Sequence, residues 1–378
     1  MSLSRRQTLA LLGGGFIAAA ASTTWYVTRP LETALAPWAQ AGSYDDPRLH
    51  ALSYAILAPN PHNRQPWLVE LQGTDTVVLH VDRERLLPHT DPYSRQITIG
   101  LGCFLEVMRM AALERGMDVD ITPFPEGGDP LALDGRPVAH CTFRPTDASP
   151  DPLFAHVMQR RTLKEPFDTT RPVDPATLAR VAATGRASIV AATADPAKVA
   201  EFRRLTHDAL LIEIETPRTY RESVDLFRIG RAEVDANPDG IDFTGPMFEA
   251  LHLAGLFNRE VALDTGSMSY RQGIAAVLAN AETAMAHIWQ VTPGNTRADQ
   301  IATGRDWLRL NLAATAAGLG IQPLSQALQE YPEMAAHYAE IHEMLAPDGG
   351  TVQMFARLGY GQAVGRSPRW PLEDKLIG

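Results

Sequence analysis

Cysteine is almost missing from these 378 residues. Cys103 and Cys141 are the two, and without a C-x-x-C spacing they exclude zinc and iron–sulfur centres of the usual kind. Cys103 falls in an apolar helical run and Cys141 in the alternating stretch 138–143, so two small buried side chains is the reading, with a disulfide as its alternative. Positive charge is also short: 34 Lys and Arg against 44 Asp and Glu leave a net charge of −10. With no basic stripe among aromatics, general nucleic-acid affinity is excluded. Several catalytic signatures are lacking as well. There is no G-x-S-x-G elbow, no H-E-x-x-H and no P-loop, and Gly359-Tyr360-Gly361 followed by Gly365 misses the dinucleotide spacing.

What is present describes a globular chain, since 45% apolar against 21% charged residues suffices for a sizeable core. At the N-terminus, Arg5-Arg6 precedes the apolar, Gly- and Ala-rich run Leu9 to Ala21. Residues 1–28 are read as a twin-arginine export signal, which directs the protein to the periplasm. The run is short for a membrane span, yet no clean A-x-A site follows it. Cleavage and a retained membrane anchor both stand. Twin-arginine export generally carries folded proteins, often around a cofactor.

Periodicity predicts helices over 46–57, 101–115 and 305–317, with Gly116 ending the second, and a hairpin over 67–72 and 76–82. Strands are expected at 138–144, 187–192 and 352–358, a helix at 175–184, and mostly helix from 199 to 289. Helices separating short strands give an α+β sheet core. Laid 202 residues apart, 109–117 and 311–319 share two alanines and a glycine, a weak sign of internal duplication on its own.

Three segments carry more. The first is Ala58-Pro59-Asn60-Pro61-His62-Asn63-Arg64-Gln65-Pro66-Trp67, and the second Arg160-Arg161-Thr162-Leu163-Lys164-Glu165-Pro166-Phe167. The third is Leu358-Gly359-Tyr360 with Arg366-Ser367-Pro368-Arg369-Trp370-Pro371-Leu372. Together they resemble the flavin-binding elements of the nitroreductase superfamily, specifically its Acg-like branch of duplicated proteins: the S-P-S-x-x-N-x-Q-P-W loop, the R-R-S-x-R/K-x-F opening and the C-terminal basic segment. The resemblance implies FMN as cofactor. A ribityl phosphate with about two negative charges calls for Arg160, Lys164, Arg366 and Arg369, and Thr162 adds a hydroxyl. Asn60, His62 and Asn63 come from the polar loop, where the Asn63 amide suits ribityl hydroxyls or the flavin dione edge, while Gln65 and Trp67 lock the loop. Amides near Leu324 and Ser325 match a stretch that passes the flavin N5 edge in this superfamily, or else form a plain turn after a helix cap.

Order is the most informative feature. In an ordinary nitroreductase the arginine element precedes the N-x-Q-P-W loop, whereas here it follows by about a hundred residues. Ordinary nitroreductases are intertwined homodimers with flavin at the interface, so the resemblance implies two fused nitroreductase-like halves, 29–150 and 151–378, forming one site in a monomer. Residues 214–266 hold Tyr220, Phe227, Phe243, Met247, Phe248, His252 and Phe257, which form either a lid over the flavin or ordinary helix core. Two functions follow from the resemblance. One is two-electron transfer through FMN to or from a small molecule, with a donor other than a nicotinamide, since those are scarce outside the cytoplasm. The other is sequestration of FMN without turnover.

Overall fold

The computed structural model describes residues 31–378. The export signal therefore lies outside the described residues. After a short helix α1 (Ala36–Gln40), Asp46 caps α2 (Pro47–Ala55) by accepting a bond from the Arg48 amide. The hairpin β1 (Trp67–Gln72) and β2 (Thr76–Val81) leads to the long helix α3 (Arg95–Leu113), then β3 (Met117–Pro123) and β4 (Ala139–Pro145). The chain continues through α4 (Pro175–Ala182), β5 (Ile189–Thr193), α5 (Pro196–Glu215) and α6 (Pro217–Asp225). Next come β6 (Phe227–Ile229), α7 (Arg231–Ala236), β7 (Ile241–Phe243), α8 (Pro246–Leu253), α9 (Arg259–Leu263) and α10 (Met268–Glu282). It closes with β8 (Ala286–Thr292), α11 (Arg297–Ala316), β9 (Gly320–Pro323), α12 (Ala335–Leu345), β10 (Thr351–Gly359) and β11 (Leu376–Ile377).

Two antiparallel sheets share one topology. In the first the order is β1-β2-β4-β3, and in the second β5-β8-β10-β9, each with its long helix inserted between the second and third strands. The helices α3 and α11 pack on each other and are buried nearly all round, charged residues such as Glu106, Asp306 and Arg309 included. Arg95, Ile99 and Gly102 at the start of α3 recur 202 residues on as Arg297, Ile301 and Gly304, ahead of the Ala-Ala-x-x-x-Gly match. Both helices then end on a left-handed glycine, Gly116 at φ 66° and Gly318 at φ 69°.

The C-terminal end crosses to the first half. β11 adds to the first sheet, running parallel to β1, although it is the end of the chain. A division at residue 150 thus separates the long helices and their sheets but not the C-terminal segment.

The expected α+β class and most elements are present. Helix α11 begins at 297 rather than 305, because Thr296 and Asp299 form a capping box that sets its start. The helical expectation for 199–289 fails at its end and middle: 286–292 is a strand buried between two others, and β6 and β7 form a small parallel pair. In β8 both faces are buried, so the alternation that marks a half-exposed strand is absent. Cys103 and Cys141 are both buried and unlinked, as read; burial pushes each thiol up to about 12.

Candidate functional site

A cavity of about 680 Å³ opens between the halves. Its wall draws on the 59–63 loop, one face of α3, the 160–165 segment, the stretch 322–329 from the end of β9 onward and the 364–369 segment. Asn60, His62, Asn63, Arg160, Thr162, Lys164, Ser325, Arg366 and Arg369 all border it. Leu324 does not. Its side chain packs with Leu210 and Ala281, and its amide donates to the Phe355 carbonyl at 3.0 Å, so it has no N–H to offer a ligand.

The 58–67 loop is bent by three non-glycine residues in left-handed conformation, His62, Asn63 and Gln65. Each costs energy that the surroundings must offset. They do so by hydrogen bonding within the loop and across to the C-terminal segment. Asn60 Oδ1 accepts from the Gln65 amide at 2.7 Å and its Nδ2 donates to the Ala58 carbonyl. Gln65, fully buried, donates to the Pro238 carbonyl at 2.7 Å and accepts from the Trp370 amide at 2.9 Å. Gln65 and Trp67 therefore lock the loop as expected, Trp67 by packing on Phe104 in the core. Asn63 differs from expectation. Its Oδ1 accepts from Arg369 at 2.7 Å and its Nδ2 donates to the Pro368 carbonyl at 3.0 Å, so its amide is spent joining the two halves. His62 is half-buried with a buried, unpartnered Nδ1, and desolvation with Lys164 and Arg64 nearby drives its pKa down to about 4, leaving a neutral ring at the cavity wall.

The 160–167 segment is clamped to the second sheet. Leu163 donates its amide to Ile321 O at 3.1 Å, and Arg357, fully buried on β10, donates to the carbonyls of Lys164 at 3.0 Å and Glu165 at 2.8 Å. The same guanidinium sits 4.1 Å from the Phe167 ring. Gly359 lets Phe167 lie against β10, since a Cβ there would come within 2.6 Å of the ring. Arg357 was missed from sequence; its one signal is a charged residue inside the apolar stretch 352–358.

Electrostatics set the character of this region. Among the described residues, Arg160, Arg161, Lys164, Arg366 and Arg369 form no ion pair. Three of them surround one buried ring, with the guanidinium carbons of Arg161, Arg366 and Arg369 at 4.9, 5.4 and 5.7 Å from the Trp38 centroid. Arg160 and Arg369 are almost fully buried, and burial pushes their pKa values down to about 10 and about 9. Both remain charged at neutral pH. Arg160 Nη1 and Arg369 Nε lack any hydrogen-bond partner. Burying an unpaired guanidinium is costly, and in a chain of net charge −10 such a cluster marks a place for an anion.

The rest of the wall is different. Gln322 of β9 and Ser325, Gln326 and Gln329 after it contribute polar side chains, and Glu213 of α5 and Thr90 join them. From the 214–266 region, Gly240, Ile241, Asp242, Thr244 and Phe248 face the cavity. Phe248 belongs to an aromatic cluster with Phe243 and Phe257, so that stretch is wall and local core at once. Its root is tied down at Asp239, which accepts from Arg85, from Arg228 at 2.7 Å and from Trp370 Nε1 at 3.3 Å. The loop after β3 encloses a separate small void of about 10 Å³, lined by Phe124, Asp129 and Arg136 among others.

No protein-family profile matches the chain. Two relatives from Mycobacterium tuberculosis do. One is an uncharacterized protein, 33% identical over 126 residues, which is 32% of this chain and 35% of the relative. The other is named "Putative NAD(P)H nitroreductase acg" and is 35% identical over 97 residues, 26% of this chain and 28% of the relative. Over those stretches the chain is similar to both proteins. The similarity spans about a third of each relative's length. Among solved structures, one titled a putative nitroreductase from Anabaena variabilis aligns over 90% of this chain and 91% of its own at 12% identity and a TM-score of 0.45. The FMN-dependent nitroreductase NfnB from Mycobacterium smegmatis, in complex with NADPH, aligns over 59% of this chain and 96% of its own, at 17% identity and a TM-score of 0.33.

Proposed function

We propose that the cavity binds FMN, one per chain, and that the protein is a two-electron oxidoreductase acting on a small molecule. The observation carrying this reading is the unpaired cationic cluster, with two nearly fully buried arginines beside a cavity large enough for a cofactor. Arg160, Arg366 and Arg369 would hold the phosphate, with Lys164 and Thr162 contributing further donors. Bound flavin would supply reversible uptake of a hydride equivalent, and the residues here orient it and exclude water. The cavity draws on both halves, so a monomer suffices. The matching topology of the sheets supports an origin by duplication, with halves at 29–150 and 151–378 and the C-terminal strand crossing to the first sheet. Export through Arg5-Arg6 to the periplasm belongs to the same proposal, with the electron donor then other than a nicotinamide.

A second reading, storage of FMN without turnover, is favoured by one observation: the covering stretch is fixed at Asp239 to both halves. One experiment separates the two. Purified protein is loaded with FMN, its stoichiometry measured, the flavin reduced with dithionite, and reoxidation by a nitroaromatic or quinone followed. Rapid reoxidation supports the oxidoreductase, slow reoxidation supports storage, and failure to retain flavin refutes both.

A further inference from the structure

One ring stands behind the cationic cluster. Trp38 of α1 is buried and does not border the cavity, yet its centroid lies 4.9, 5.4 and 5.7 Å from the guanidinium carbons of Arg161, Arg366 and Arg369. A cation within about 6 Å of an indole centroid is attracted by the negative face of the ring. The three cations also repel one another, and among the described residues none of them is paired with a carboxylate. Asp242 on the cavity wall favours the charged form of Arg369 without forming an ion pair with it. Arg161 Nε and Arg369 Nε are buried donors with no acceptor. Charged donors left in this way call for an anionic acceptor.

We propose that Trp38 is the positioning residue of a phosphate clamp: its ring, contributed by the first half, gathers Arg161, Arg366 and Arg369 of the second half so that their guanidiniums meet one phosphate together. The proposal rests on the flavin reading above, in which that phosphate belongs to FMN. Trp38 itself touches no ligand and acts through the arginines. The clamp is therefore complete only when both halves contribute to it.

The ring is itself fixed to the segment it serves. Trp38 Nε1 donates to the Ser367 carbonyl at 2.8 Å, the Arg369 amide donates to the Ala34 carbonyl at 2.9 Å, and Arg369 Nη1 donates to Ser367 Oγ at 2.7 Å. Arg161 is held from its other side, its Nη1 donating to the carbonyls of Met158 at 3.0 Å and Arg160 at 2.7 Å. Arg366 depends most on the ring. It is exposed, and among the described residues its guanidinium has neither a hydrogen bond nor an ion pair. A long side chain free in water loses rotamer entropy when it grips a ligand, and a cation already resting on an aromatic ring loses less of it. A packing role and a positioning role for Trp38 therefore differ in outcome. Lost packing weakens any flavin alike, whereas a lost clamp weakens the one that carries a phosphate.

The test titrates FMN and riboflavin into flavin-free wild type, Trp38→Phe and Trp38→Leu, and separately follows the Tm of each protein as inorganic phosphate is added. Trp38→Leu keeps an apolar side chain but no negative face, and is expected to weaken FMN by about 10-fold and riboflavin by less than about 2-fold. Trp38→Phe keeps a face without the indole N–H and should restore most of the preference for FMN. Phosphate should raise the Tm of the wild type and of Trp38→Phe, and leave that of Trp38→Leu unchanged. Equal losses for the two flavins in Trp38→Leu, or a Trp38→Phe no better than Trp38→Leu, overturns the positioning role. A wild type that binds no FMN while phosphate still separates the variants overturns the flavin reading and leaves the clamp standing; a wild type that responds to neither overturns both. Should Trp38→Leu not fold, tetrafluorotryptophan at position 38 preserves the shape of the ring and removes its negative face, and an undiminished preference for FMN there overturns the role.

Discussion

Gly102 and Gly304 lie against each other where α3 crosses α11, and the contact is reciprocal. A Cβ on Gly102 would meet the Ile301 carbonyl and come within 2.9 Å of Gly304 Cα; a Cβ on Gly304 would meet the Ile99 carbonyl and come within 2.8 Å of Gly102 Cα. Ile99 and Ile301 are spaced as the two glycines are, so residue i meets j while j meets i, as across a two-fold dimer interface. The chain carries within itself the relationship of two subunits.

Replacing either glycine with alanine should therefore destabilise the fold. Alanine is intrinsically the better helix former by about 1 kcal/mol, so the expected loss must come from the crossing itself. Overpacking against backbone, which cannot rotate away, should lower stability by about 1–3 kcal/mol. Urea unfolding of Gly102→Ala, Gly304→Ala and the double variant checks this. The double variant should lose less than the sum, because both changes prise apart one contact.

That crossing also shows what the sequence discloses and what it hides. The Ala-Ala-x-x-x-Gly match at the ends of the helices is visible from local pattern, but Arg95, Ile99 and Gly102 matter only once their counterparts are known to face them. The basic residues at 160–164 and 366–369 are legible because phosphate chemistry names its residue types. The role of Asn63 is not legible, since its amide suits a ligand and Arg369 equally, and only the geometry shows the arginine taking it. Arg357 and Trp38 act through tertiary neighbours that no local spacing announces. Leu324 was placed by analogy with a flavin edge, and the ladder bond to Phe355 removes it.

Arg160 and Arg369 should respond differently when replaced by alanine. Arg160 makes only one weak bond, 3.4 Å to the Leu57 carbonyl, so its guanidinium is available to a phosphate. Arg160→Ala should weaken FMN by about 1.5–3 kcal/mol and riboflavin little, because riboflavin lacks the phosphate. Arg369 also holds the carbonyls of Leu57, Ala58 and Pro368 and the Asn63 side chain. Arg369→Ala should weaken both ligands. Fluorescence titration with the two flavins is the measurement, and equal losses in Arg160→Ala would put that arginine away from the phosphate.

Acid sensitivity should depend on His287, whose ring is buried against Phe355 with both nitrogens unpartnered. Burial drives its folded-state pKa down to about 3, below the ordinary 6.5. The unfolded chain takes up the proton first, so the histidine contributes nothing above 6.5, and stability falls as pH drops from 6.5 towards 3. His287→Leu should flatten that slope, by up to a few kcal/mol in all. Glu213 and Asp91, with raised pKa values of about 7 and about 6, act in the opposite sense and are common to both proteins, so the difference between them isolates the histidine. Parallel urea midpoints from pH 7 to pH 4 in the two proteins would refute the assignment.

Export should require Arg5 and Arg6. Changing both to lysine is expected to leave folded, flavin-loaded protein in the cytoplasmic fraction, and undiminished recovery from the periplasm would remove the twin-arginine assignment.

The last prediction concerns the joint between the halves at Asn63 and Arg369. Their 2.7 Å bond links the polar loop of the first half to the basic segment of the second; Asn63 also donates to the Pro368 carbonyl, and Arg369 to Ser367 and to the carbonyls of Leu57, Ala58 and Pro368. Asn63→Ala leaves the buried Arg369 guanidinium short of one acceptor, while Arg369→Ala leaves the Asn63 carbonyl oxygen without its donor. Either loss should cost on the order of 1–3 kcal/mol of FMN affinity or stability, since an unsatisfied buried group is penalised for its desolvation. In the double variant neither group is stranded, so the combined cost should fall short of the sum by about 1 kcal/mol or more. Lys164→Ala, in contrast, removes an exposed cation with no bond to Asn63, and its effect should add to that of Asn63→Ala. Additivity in the first pair, or two FMN per chain in the titration, would mean that the halves do not share a site, and the loop and the basic segment would then belong to separate ones.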